Sequence, residues 1–125
     1  MKHRKQGKKL GRNTAQRKSL YKILARGFFI NQGRIETTLP KAKAVQPRIE
    51  KMITRAKDGS LASRRWLYRY FQDQKLVNGI VDNFGKKFKN KPGGYTRIIK
   101  LKKRRGDDAT IARLELVDQG ENGEE

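Results

Sequence analysis

Few residues in this chain could do covalent chemistry. His3 is the only histidine and there is no cysteine. That removes disulfides, thiolate nucleophiles and thiolate metal sites. His3 stands in MKHRKQGKKLGR, where Leu10 is the one apolar side chain after Met1. No local packing can fix a partner for its imidazole. Glu36 and Glu50 are the only acids before Asp58, and each reads as half of a surface ion pair. Pro92-Gly93-Gly94-Tyr95 lacks the G-x-x-x-x-G-K-S/T spacing of a phosphate loop, and no metal-ligand spacing occurs. The expectation is therefore no enzyme, no cofactor, no metal and no small-molecule substrate.

What the chain has in excess is cations. Lys and Arg number 32 against 12 Asp and Glu, a net charge of +20 in 125 residues. Residues 1–26 hold ten of them and residues 86–105 another ten, with no acid in either block. Such self-repulsion calls for a neutralising polyanion, and a nucleic acid backbone fits. Lysine supplies point charges, whereas arginine can grip phosphate through two N–H bonds. Composition alone also fits a basic DNA-compacting protein. Two features favour RNA: no helix-turn-helix with a polar reading helix is present, and the charge is spread over an arm, loops and several helices.

The elements that must position these cations follow from periodicity. Residues 1–12 read as a basic extended arm with a reach of about 40 Å. Asn13 and Thr14 open a first helix, with Gln16 completing a capping box. Leu20, Ile23, Leu24, Gly27 and Ile30 form its apolar stripe, and Gly33 ends it. Lys18, Lys22 and Arg26 run opposite at intervals of four, a repulsive pattern costing about 0.2–0.5 kcal/mol per pair in an isolated helix. They read as a phosphate-facing ridge. A short strand is expected over 34–39, then a helix with Pro40 in its first turn. Val45, Ile49, Met52, Ile53 and Ala56 form its core stripe, Pro47 bends or divides it, and Gly59 stops it.

Ser60 starts a third helix with Trp66, Leu67, Tyr70 and Phe71 inward. Arg64, Arg65, Tyr68 and Arg69 share its other face, with Tyr68 as the candidate for base stacking. Asp73 caps a fourth, with Leu76, Val77, Ile80, Val81 and Phe84 inward, ending near Gly85. Lys86 to Pro92, including Lys91, reads as a basic loop and Gly93-Gly94 as a flexible joint. Strands are expected over 95–101 and 110–117, joined by a turn at Gly106-Asp107-Asp108. Lys100, Lys102, Lys103, Arg104 and Arg105 make the outward basic stem. Beyond Arg113 the acids, beginning with Glu115, lack basic neighbours, and 118–125 reads as an acidic disordered tail. The fold class is α+β in two layers: helices on a small three-stranded mixed sheet, forming one domain over 13–117. No apolar run reaches the length of a membrane span, and no signal core follows the basic start.

Four segments carry a family resemblance: MKHRKQGKKLGR, NTAQRKSL, GRIETTLPKAKAVQPRIEKMIT and PGGYTRIIKLKKRRGDDA. In order and spacing they resemble the bacterial large-subunit ribosomal protein seventeen family, from Met1 to about Val117. Position 2 holds Lys where Arg is common in the family, the QDQKLVNGIVDNF stretch matches less well, and the acidic end departs from it. The resemblance implies a structural, cytoplasmic ribosomal role: binding large-subunit (23S-type) ribosomal RNA near the nascent-chain exit region, beside neighbouring ribosomal proteins. It implies RNA contacts from Lys2, His3, Arg4, Lys5, Lys8, Lys9, Arg12, Arg17 and Lys18. A second implied group is Gly93, Gly94, Tyr95, Thr96 and Arg97, with Lys102, Lys103, Arg104 and Arg105. From the charge pattern itself come Lys22, Arg64, Arg65, Arg69 and Lys91.

Overall fold

The computed structural model describes residues 14–117. The arm over 1–12, the cap at Asn13 and the acidic segment 118–125 lie outside the described residues. The order is α1 (Thr14–Ile30), β1 (Arg34–Thr38), α2 (Leu39–Asp58), α3 (Leu61–Phe71), α4 (Gln74–Gly79), β2 (Thr96–Lys103) and β3 (Thr110–Leu116). The helix begun at α4 widens into π-helical turns over Ile80–Gly85. The fold is α+β, as expected, but the sheet is antiparallel throughout, not mixed. Its order is β1-β3-β2, with β3 in the centre. Chain direction dictates this, because β2 and β3 form a hairpin and β3 then runs back along β1.

The core is built on α2. Val45, Ile49, Met52, Ile53 and Ala56 are all buried, as their 3.6-residue period predicts. Pro47 is exposed and does not divide this helix, which runs unbroken over 20 residues. Packing of the stripe on both sides of Pro47 holds the helix together despite the missing N–H. Across the sheet, Ile35, Leu114 and Ile98 stand in one register row facing these helices. The opposite sheet face carries charges instead. There Glu115 receives Arg97 at 2.8 Å and Arg113 at 2.9 Å, so its expected lack of basic neighbours is corrected.

Helix α1 corrects the predicted stripe. Tyr21, Ala25, Phe28 and Phe29 are buried, while Ile23 is 66% and Ile30 54% exposed. Both sets have helical spacing, so volume decides. Phe28 and Phe29 bring far more apolar area than two isoleucines; Phe29 meets Phe28, Phe71 and Phe84 edge-on, and Phe28 lies tilted against Phe84. Phe29 lies 5.0 Å from Phe84, centroid to centroid. The helix ends with Gln32 in the left-handed region and the Gly33 N–H bonded to Phe28 O at 2.8 Å. A Cβ on Gly33 would sit 2.5 Å from Leu116, so this glycine is needed for space as well as for its φ of 89°.

Other local readings agree with the structure. Gly59 takes the left-handed cap of α2, the Ser60 hydroxyl accepts from Ser63 N, and the Asp73 carboxylate accepts from Leu76 N. The π-helical turns were not signalled by the apolar period. They bring Gly85 against α2, where a Cβ would lie 2.4 Å from the Ala56 carbonyl. The expected basic loop after it holds a core anchor: Phe88 is fully buried, its ring 5.2 Å from Tyr95. Strand β2 runs past Leu101 to Lys103 through a bulge between Lys100 and Lys102.

A second face of α2 grips the start of β2. The Glu50 carboxylate accepts from Tyr95 N at 3.1 Å, Thr96 N at 2.8 Å and the Thr96 hydroxyl at 2.6 Å. Gln46 donates to Thr96 Oγ1 at 3.0 Å, Thr54 shares a bond with the Tyr95 hydroxyl, and Lys57 donates to that hydroxyl at 2.9 Å. Glu50 is therefore a framework residue, not half of a surface pair. Replacing it leaves two backbone donors and a hydroxyl without their acceptor. Glu50→Ala should cost about 2–3 kcal/mol. Urea unfolding of the full chain checks this; a loss under about 0.5 kcal/mol would mean water replaces the carboxylate without penalty.

Candidate nucleic-acid interface

The described cations are held in three ways: on a carboxylate, on an aromatic ring, or by neither. On α1, Lys18 is exposed and Lys22 half-buried, but Arg26 donates to Asp73 at 2.6 Å. Arg26 thus leaves the expected ridge and ties α1 to the cap of α4. Arg17 reaches Thr14 Oγ1 at 3.4 Å. On α3, Arg65 and Arg69 are exposed, while Arg64 donates to Asn78 at 2.8 Å and reaches Asp82 at 3.4 Å. Tyr68 is 48% exposed and lines a groove of about 270 Å³ with Leu61, Arg64, Arg65 and Val77.

The second expected group divides. Arg97 lies on Glu115, beside Arg34 and Lys87 around a hollow of about 320 Å³. Gly93 and Gly94 have open space where a Cβ would stand, and Gly94 needs its φ of 65°. Lys91 is half-buried, and its carbonyl accepts from Lys57 Nζ. Tyr95 and Thr96 are only 1% and 7% exposed, and their side chains serve the α2 grip. Lys102, Lys103 and Arg105 are exposed at the tip of the hairpin. Arg104 is held across the turn by Asp107, at 2.6 Å from Nη2. Lys2, His3, Arg4, Lys5, Lys8, Lys9 and Arg12 lie outside the described residues.

Sequence reading missed a set on α2. Arg48 lies 4.3 Å over the Tyr21 ring and Arg55 4.7 Å over Trp66, with Lys51 5.7 Å from the same indole. Its signal in the sequence is the basic i, i+3, i+7 spacing, which runs beside the apolar stripe of the same helix. Burial raises the Tyr70 phenol above its ordinary value, with the charge of Arg48 working against that rise.

Three carboxyls are held below the usual carboxylate range. Asp58 is lowered by the Ser60 and Ser63 hydroxyls, and Asp73 by the Leu76 N–H and then Arg26. Asp107 is lowered to about 2, first by Arg104 and then by Ala109 N–H. These acids serve helix caps and the hairpin turn. Among the described residues no group of three or more His, Cys, Asp or Glu is placed to hold a metal ion. No described helix is long and apolar enough to cross a membrane.

Fold and surface together define a class: a small, strongly basic α+β domain whose described acids largely serve its own framework. The family described as Ribosomal protein L17 matches residues 20–117. The large ribosomal subunit protein bL17 of Halothermothrix orenii is 46% identical over 112 residues, covering 90% of this chain and 97% of that protein. Its counterpart in Dictyoglomus thermophilum is 47% identical over 117 residues, covering 94% of this chain and 100% of that one. In Salinibacter ruber the identity is 42% over 118 residues, and the match spans 94% of this chain but 59% of that protein. The chain belongs to the ribosomal protein L17 family, and is a structural ribosomal protein, not an enzyme.

The lowered carboxyls set a pH dependence. A folded pKa below the unfolded one gives stability that is present above the unfolded value and lost as pH falls through the folded value. For Asp107 that window runs from 3.8 down to about 2. Carboxyl NMR titration of the full chain should place Asp107 near the lower end, with Asp58 and Asp73 also below 3.8. An Asp107 midpoint at or above 3.8 would mean that its pair with Arg104 is open in solution.

Proposed function

We propose that this protein is a structural constituent of the large ribosomal subunit, binding 23S-type ribosomal RNA near the nascent-chain exit region and holding folded RNA domains together. The carrying observation is the surplus of unpaired cations on several sides of one small domain. Lys18, Lys22, Arg65, Arg69, Lys102, Lys103 and Arg105 have no carboxylate partner among the described residues. They are spread over α1, α3 and the β2–β3 hairpin instead of being collected on one element. A folded RNA that encloses the domain meets such a distribution better than a straight duplex does. The names of the bL17 relatives supply the large subunit. The exit-region placement comes from the family resemblance of the sequence segments.

On this reading the framework fixes where the cations stand, and the RNA supplies the neutralising charge. Six to ten phosphate contacts make affinity fall by about 10³–10⁵ between 50 and 200 mM salt. A tagged copy should co-sediment with large subunits through a sucrose gradient, and its recovery only at the top would overturn the assignment. Deleting residues 1–12 should leave the circular dichroism melt unchanged while weakening RNA binding at least about 10-fold. The reason is that the buried cluster of the described residues runs from Tyr21 to Leu114, whereas the arm offers almost no apolar surface. Loss of the fold on that deletion would contradict it.

A further inference from the structure

The described arginines with internal carboxylates are Arg26, Arg64, Arg97, Arg104 and Arg113. Arg48 and Arg55 differ, for each lies over an aromatic ring. Neither they nor Lys51 form a side-chain hydrogen bond or ion pair among the described residues. Tyr21 is buried under Arg48, and Trp66 packs at the rim of the core under Arg55. The three cations lie along one stripe of α2, about 10 Å from end to end. Glu50, the acid nearest in sequence, sits on another face and is engaged with β2.

An arginine on a ring can be a stabilising contact and nothing more. Three cations at i, i+3 and i+7 repel one another, and the acid next along their stripe, Asp58, is taken up by the Ser60 and Ser63 hydroxyls, so the ring contacts alone do not account for the set. Stacking occupies one face of each guanidinium and leaves its in-plane N–H fork unpaired. It also holds a long side chain in one arrangement before any partner arrives, which lowers the ordering cost of binding.

We infer that Arg48, Lys51 and Arg55 form a pre-held stripe that grips successive phosphates of one RNA strand. The two stacked guanidiniums bind bidentately and Lys51 acts as a point charge between them. This rests on the RNA-binding reading above and assigns it a surface that the sequence segments did not indicate.

The test uses the full chain with an in vitro transcript of 23S-type ribosomal RNA, titrated across a salt series. The double variant Arg48→Ala/Arg55→Ala should weaken binding about 10-fold or more and make the log–log salt slope shallower by about 2. The variant Arg48→Lys/Arg55→Lys keeps both charges, so it should keep the slope but lose part of the affinity with the lost fork. It also stands in should the alanine variant fail to fold. Wild-type binding with both variants matching it in slope, and within about twofold in affinity, would overturn the stripe and leave the proposed function standing. Absence of any salt-sensitive binding by the wild-type chain would overturn the function itself.

Discussion

One carboxylate holds the two halves of this fold in register. Glu50, in the middle of α2, accepts both backbone N–H groups at the entrance of β2 and the Thr96 hydroxyl. The residues that bind are 45 and 46 positions away. Gln46, Thr54 and Lys57 follow the same helix face and close on Thr96 and Tyr95. A helix period thereby reads out against a strand end. Tyr95 O in turn accepts from Val117 N, so the grip extends to the end of the central strand. The half-buried acid is tolerated because every bond it accepts is charge-assisted, and backbone donors there have no sheet partner of their own.

Four of the other described acids are likewise engaged within the fold. Asp58 and Asp73 serve helix starts, Asp107 serves the hairpin turn, and Glu115 sits between two arginines on the outer sheet face. Of these, Asp73 and Asp107 stand where a helix start or a turn leaves a backbone N–H to be accepted. Positive charge is left on the outside, partly braced by carboxylates and partly by rings. A surface of this kind differs from a merely cationic one, since braced side chains keep fixed positions relative to the core.

Much of this was readable from sequence, and the exceptions share a cause. The α2 core stripe, the caps at Ser60 and Asp73, the stop at Gly59 and the β2–β3 turn depend on neighbours within a few residues, so local pattern suffices. Tyr95 and Thr96 stand in a basic, glycine-led segment, and nothing local reveals that α2 claims their side chains. The same applies to Phe88, an isolated aromatic among lysines. On α1 two stripes of equal period competed, and the outcome rested on which one faced Phe71 and Phe84. The direction of the third strand depends on topology alone. For the interface, charge pattern found the cations but not their restraint: the partners of Arg26 and Arg97 sit 47 and 18 positions away.

The strand order has a consequence for the protein before it meets any partner. With β3 central, β2 is the longer border of the sheet, and its outer line of backbone groups is a template on which another copy could pair. Lys100, Lys102 and Lys103 crowd that border, and the bulge at Leu101 breaks its flatness. An incoming strand of the same chain meets ammonium groups with ammonium groups. Side chains that suit a polyanion thus also discourage edge-to-edge aggregation of the unassembled chain.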